Sequence, residues 1–130
     1  MYLLDTNICI ELFAGNQLVS DHLARASHLH MHVSAVTIAE LAYGATHSSR
    51  QTEGITQIRR LMLRVNVLPV DAKCALGYGT LKAQLSAIGQ LLEDNDLFIA
   101  STAISRGLTL VTHDKGFARI SGLRIEDWLE

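Results

Sequence analysis

Two periods alternate along this chain. Positions 1–4 are apolar and stop at Asp5, which reads as a short buried strand. Thr6 or Asn7 is placed to cap the helix that follows through Cys9, Ile10, Leu12 and Phe13 to Gly15. A polar helix is predicted over 17–26 and a second strand over 31–34. Val36, Ala39, Leu41, Ala42 and Ala45 then recur at helical spacing over 36–45. An amphipathic helix is predicted over 52–65, with Ile55, Ile58, Leu61, Met62 and Val65 on one side and Arg59, Arg60 and Arg64 on another. The segment 66–70, NVLPV, is a strand that ends at proline. Asp71 caps a long helix over 72–88 that Gly89 stops, with Gly77 and Gly79 weakening its middle. A buried helix is predicted over 97–105, then strands over 108–111 and 122–125. Short apolar strands alternating with helices predict an α/β fold around a mostly parallel sheet.

Such sheets bind ligands beyond the carboxyl ends of their strands. Four acids fall there. Asp5 ends the first strand, Asp114 follows the 108–111 strand in VTHD, Glu40 lies on the helix after the second strand, and Asp96 opens the helix before the 108–111 strand. Each also has a local explanation. Asp5 and Asp96 can cap helices, and Asp114 can close an Asx-turn before Lys115-Gly116. Thr37 and Glu40 match a capping box, but Val36 is already helical, which makes Ser34 the better cap and sets Glu40 further inside. Together the four pose an energetic problem. Two carboxylates about 4 Å apart repel by about 4 kcal/mol at an effective dielectric of about 20, against a domain stability of ~5–15 kcal/mol. No lysine or arginine neighbours Asp5, Glu40 or Asp96 in sequence. Divalent cations are the economical compensation, and an all-carboxylate set without Cys or His points to Mg²⁺ or Mn²⁺ rather than zinc.

Composition narrows the picture. The 130 residues are 48% hydrophobic, enough for one core-bearing domain over 1–130. No uncharged stretch reaches the ~20 apolar residues of a membrane span, and MYLLDTN lacks the basic start of a signal peptide. Two cysteines, Cys9 and Cys74, imply a reduced, cytoplasmic setting rather than a disulfide framework. A net charge of −2 is not the footprint of a free-standing nucleic-acid binder, although cations in an acidic site would offset it.

LLDTNICIEL, SAVTIAEL and DNDLFIASTAISRGLTLVTHDKGFARISGLRIEDW together resemble a PIN domain, and more narrowly the VapC-type ribonuclease toxins of bacterial toxin–antitoxin pairs. The match runs over 2–128. The resemblance implies a three-layer α/β/α fold and metal-dependent endoribonuclease activity on one or two Mg²⁺ or Mn²⁺ ions. It carries over Asp5, Glu40, Asp96 and Asp114 as catalytic and metal-binding residues, with Asn7 and Thr112 supporting them. It further implies a homodimer, an antitoxin whose C-terminal segment covers the site, and operator DNA bound only through that complex. The substrate it implies is a structured RNA, often a tRNA anticodon loop, whose cleavage inhibits translation. Within that frame Asp5 and Asp96 are the expected direct ligands, Glu40 either ligates through water or orients the nucleophile, and Asp114 completes a second, weaker site. In EDND, Asp96 is the ligand, Asp94 the helix cap and Glu93 a solvated bystander.

RNA also needs cations. Arg50, Arg59, Arg60, Arg64, Lys73 and Lys82 read first as solvated helix backs, which leaves Lys115 and Arg119, nearest Asp114, as the phosphate contacts. His28, His30 and His32 alternate as they would on one side of a strand, without a Cys or close acid to complete a zinc site. Cys9 reads as core and Trp128 as a plug that packs the C-terminus down. Two other classes remain open: a receiver-like signalling domain with an acidic Mg²⁺ pocket, and a non-catalytic PIN-like binding module.

Overall fold

The computed structural model describes the backbone of residues 1–130 and every side chain except that of His28. Five strands, β1 (Tyr2–Leu4), β2 (Met31–Ser34), β3 (Asn66–Leu68), β4 (Thr109–Val111) and β5 (Ile125–Glu126), form one sheet in the order β3-β2-β1-β4-β5. Every pairing is parallel. The six helices are α1 (Thr6–Phe13), α2 (Gln17–Arg25), α3 (Ala35–Thr46), α4 (Gln51–Arg64), α5 (Ala72–Ala87) and α6 (Asp94–Arg106).

Strand alternation builds two cores. Leu4 and Val111 pack with Ile8 and Cys9 of α1, Val19 of α2, Leu41 of α3 and Ile58 and Leu61 of α4. Their neighbours Leu3 and Leu110 point the other way, onto Leu81 and Leu85 of α5 and Leu97, Ile99 and Ala100 of α6. A sheet buried on both faces needs continuous apolar strands, as these are. The result is the expected three-layer α/β/α fold. Trp128 seals the first core, stacked by His22 at 5.0 Å and met edge-on by Tyr2 at 5.4 Å between ring centroids.

The capping residues differ from the sequence reading at two places. Asp5 itself, not Thr6 or Asn7, is the N-cap of α1: its Oδ1 accepts from Thr6 N–H at 2.8 Å. The backbone leaves β1 extended and turns helical at once, so the strand's last residue does both jobs. Helix α6 starts at Asp94, not near Leu97, and its cap position is Glu93, whose side chain makes no capping bond. Asp94 instead accepts from Tyr78 Oη at 2.7 Å and Lys82 Nζ at 2.9 Å, both on α5. Glu93 is exposed, as expected. Ser34 and Asp71 do cap α3 and α5. The three histidines do not alternate on a strand: His28–His30 is a 3₁₀ turn, and only His32 enters β2, its Nδ1 facing Tyr2 O at 3.1 Å. Strand β5 begins after the 122–125 stretch has mostly passed, because Gly122 turns the chain at φ +82°.

Gly77 is explained by the partner helix. A Cβ built there would lie 2.6 Å from Ser101 Oγ, which is buried and donates to Cys74 O at 2.7 Å. Glycine lets α5 and α6 approach at the turns that follow Asp96. Nothing in the structure explains Gly79. Alanine at 77 gains about 1 kcal/mol of helix propensity but overpacks a buried contact, which costs ~1–3 kcal/mol. Gly77→Ala should therefore lower the urea midpoint, and adding Ser101→Ala should recover part of that loss. Equal midpoints for wild type and Gly77→Ala would show that the helices are not in limiting contact.

Candidate active site

The strand order runs outward in both directions from β1 and β4, so a crevice opens beyond their carboxyl ends. Register fixes what meets there. Leu4 pairs with Val111, and Asp5 N–H donates to Val111 O at 2.9 Å. Asp5 and Thr112 thus leave the sheet side by side. Thr112 Oγ1 donates to Asp5 Oδ2 at 2.8 Å and accepts from Asp114 N–H at 3.0 Å. Asp114 Oδ1 in turn accepts from Gly116 N–H at 2.8 Å, opening the 3₁₀ turn Lys115–Arg119. The local Asx-turn reading of Asp114 and its place beside Asp5 therefore hold together.

Glu40 comes from the second turn of α3. Its Oε1 accepts from Thr6 Oγ1 at 2.8 Å, and Thr6 Oγ1 also lies 3.1 Å from Thr37 Oγ1. Asp96 is the third residue of α6, where the exposed N–H groups of a helix start favour an acid. Leu97 and Ile99 beside it are fully buried. Their burial contributes about 3–6 kcal/mol, the same scale as the ~4 kcal/mol of one carboxylate pair about 4 Å apart at an effective dielectric of about 20, so packing offsets repulsion at Asp96.

Electrostatics join the four. Burial pushes the Asp96 carboxyl up to about 6, reinforced by the charges of Asp5, Asp114 and Glu40, with Glu93 adding to them. Burial also raises Asp5, which is only 4% exposed; the bonds from Thr112 and Thr6 pull it down, and Glu40 and Asp114 push it up again. Among the described residues, no Lys, Arg or His forms an ion pair with any of the four. Each oxygen of Asp5 is used once by the protein, which leaves a further lone pair on each. A groove of about 460 Å³ lined by Val36, Ala39, Tyr43, Val70, Asn95 and Phe98 adjoins Glu40.

The other expected residues are placed less directly. Asn7 is exposed on the first turn of α1, and its side chain reaches none of the four carboxylates among the described hydrogen bonds. Lys115 Nζ sits 3.2 Å from Glu130 and 3.8 Å from Asp127, and Arg119 donates to Leu91 O at 3.1 Å. Sequence reasoning missed two things. It gave Thr6 a cap's role, whereas its hydroxyl reaches another helix; no local signal announces a partner 34 residues away. It also missed Asp127, whose Oδ2 meets His113 Nδ1 at 2.7 Å. Among the described residues, His113, Asp127 and Glu130 are the one group of three whose ligand atoms all lie within 4.8 Å of one another and could hold an ion; the four carboxylates around Asp5 are not drawn together that tightly. That group already has Lys115 as a cation, whereas the four carboxylates around Asp5 have none among the described residues.

The PIN domain family matches residues 2–123. The chain belongs to that family. It is 34% identical to Ribonuclease VapC2 of Rickettsia felis, with 98% of each chain covered. It is 36% identical to the tRNA(fMet)-specific endonuclease VapC of Shigella flexneri, over 98% of this chain and 97% of that one. Its fold superposes at a TM-score of 0.92, with 32% identity and 98% of each chain covered, on the crystal structure of VapBC2 from Rickettsia felis bound to a DNA fragment from their promoter. The PIN fold and kinship to named ribonucleases agree with the sequence reading. No helix of the described residues is long and apolar enough to cross a membrane.

The raised Asp96 carboxyl sets a sign for stability. Its folded value of about 6 lies above the ordinary 3.8, so the folded chain binds that proton more tightly than the unfolded chain. The Asp96 contribution is greatest below about pH 4 and is lost as pH rises through about 6. In chelator, the melting temperature of wild type relative to Asp96→Asn should fall across that window. A gap that stays constant with pH would refute the shift.

Proposed function

We propose that this chain is a metal-dependent endoribonuclease, the toxin of a toxin–antitoxin pair, that cuts a structured RNA and so inhibits translation. The observation that carries the reading is the set Asp5, Glu40, Asp96 and Asp114, four carboxylates at one sheet edge without a basic partner among the described residues, where burial and the neighbouring charges raise the pKa of Asp5 and Asp96. Oxygen-only donors suit the hard ions Mg²⁺ or Mn²⁺. One or two such ions held there would supply activated water and neutralise charge on the phosphodiester.

The chain's own residues do the rest. Asp5 and Asp96 are direct ligands, each anchored by a buried neighbour in its element. Glu40 orients the attacking water. Asp114 completes a second position. Thr112 fixes Oδ2 of Asp5, and Asn7, exposed at the rim, supports from the solvent side. Lys115 and Arg119 are the phosphate contacts; to serve, each must leave its present partner, a small cost for exposed pairs.

The relatives' names support an RNA substrate, and the tRNA(fMet)-specific endonuclease of Shigella flexneri supports a tRNA; that the cut falls in the anticodon loop is our proposal from the family resemblance. The VapBC2 assembly on promoter DNA supports a cognate antitoxin, with operator DNA bound through that complex. We further propose that 1–130 acts as one PIN-like domain, as a homodimer, in the cytoplasm.

The test is cleavage of a panel of tRNAs, initiator tRNA included, with Mg²⁺ or Mn²⁺ titrated in. Wild type should cut, and chelator should stop it. Asp5→Ala and Asp96→Ala should each lose more than the about 10–100-fold that removal of an outer partner costs. Variants that cleave like wild type would sink the reading, and wild type that binds Mn²⁺ but cuts no RNA would favour a non-catalytic module.

A further inference from the structure

We propose that Thr6 is a positioning residue that orients Glu40 through its hydroxyl. The inference rests on the metal-dependent reading of the site.

Thr6 Oγ1 donates to Glu40 Oε1 at 2.8 Å, and the same hydroxyl faces Thr37 Oγ1 at the longer 3.1 Å. A hydroxyl has one proton to give, and an ionised carboxylate has none. The carboxylate is the nearer and the stronger acceptor, so the Thr6 proton is directed chiefly at Glu40. Thr37 is fully buried and holds the Thr6 hydroxyl from its other side.

The hydroxyl acts on the reacting end of the site rather than on packing alone. A bond whose only task was to tie α1 to α3 would be complete at Thr6–Thr37. This one continues to a carboxylate and takes Oε1, while Oε2 accepts no bond among the described residues. The glutamate is thus held in one rotation about its end, with one oxygen anchored and the other free. Glu40 has the longest side chain of the four, and so samples the most rotamers if unheld. Thr6 also touches Asp5 through its backbone N–H, at 2.8 Å. One residue therefore sets the spacing of two of the four carboxylates.

The experiment measures Mn²⁺ binding by titration calorimetry, beside RNA cleavage, for wild type, Thr6→Val, Thr6→Ser and Asp96→Asn, with folding checked by circular dichroism. Thr6→Val keeps the shape and removes the proton. It should weaken Mn²⁺ binding by about 10-fold or more, the scale of losing an outer-sphere partner. Thr6→Ser should restore binding to within about twofold, which a purely packing role for the threonine methyl would not predict. If Thr6→Val does not fold, Thr6→Ala carries the same comparison. Wild-type affinity in the Val or Ala variant, with Asp96→Asn impaired, overturns the positioning role of Thr6 and leaves the site reading intact. Absence of Mn²⁺ binding by wild type overturns both.

Discussion

Everything in this molecule is arranged around one unfavourable interaction, the mutual repulsion of Asp5, Glu40, Asp96 and Asp114. A chain relieves such repulsion by moving the charges apart unless something stronger holds their roots. Here the roots are in the best-packed parts of the fold. Asp5 follows Leu3 and Leu4, both fully buried on opposite faces of the central strand. Asp96 precedes Leu97, and Asp114 stands three residues beyond Val111. The sheet supplies rigidity, and the repulsion is left as stored demand for positive charge.

Two threonines make that arrangement specific. Thr112 links Asp5 to Asp114, and Thr6 links Asp5 to Glu40. The acids are joined by neutral donors instead of by lysine or arginine. A basic residue would have offset the carboxylates within the protein, as Lys115 does by pairing with Asp127 and Glu130. A hydroxyl lowers the cost of each charge and still leaves lone pairs unused. That difference separates a site from a salt bridge more sharply than the number of acids present.

The sequence made the strands, the helices and the four acids readable because these depend on local signals. Apolar runs that stop at an acid mark strand ends, and the register of β1 with β4 then follows from parallel pairing of the two most apolar runs. Cys9 and Trp128 were legible as core for the same reason, and both are buried. What escaped depends on contacts between distant segments. Asp94 looks like a cap because it precedes a helix, but Tyr78 and Lys82 of α5 claim it. Gly77 looks like a helix flaw until Ser101 is placed against it. Thr6 is a cap candidate by position, and only the packing of α1 on α3 gives its hydroxyl a different partner.

The strand order has a consequence for the life of the chain before it is complete. Strand β1 is made first, but its neighbour β4 arrives after residue 108, past all six helices. Until then Asp5 has no Thr112 beside it and no Asp114 across from it, and α6 has no strand to lie against. A chain still being translated therefore carries Asp5 and Glu40 without the partners that make them a site. The four carboxylates can therefore come together only once synthesis has passed Asp114, however early Asp5 was made.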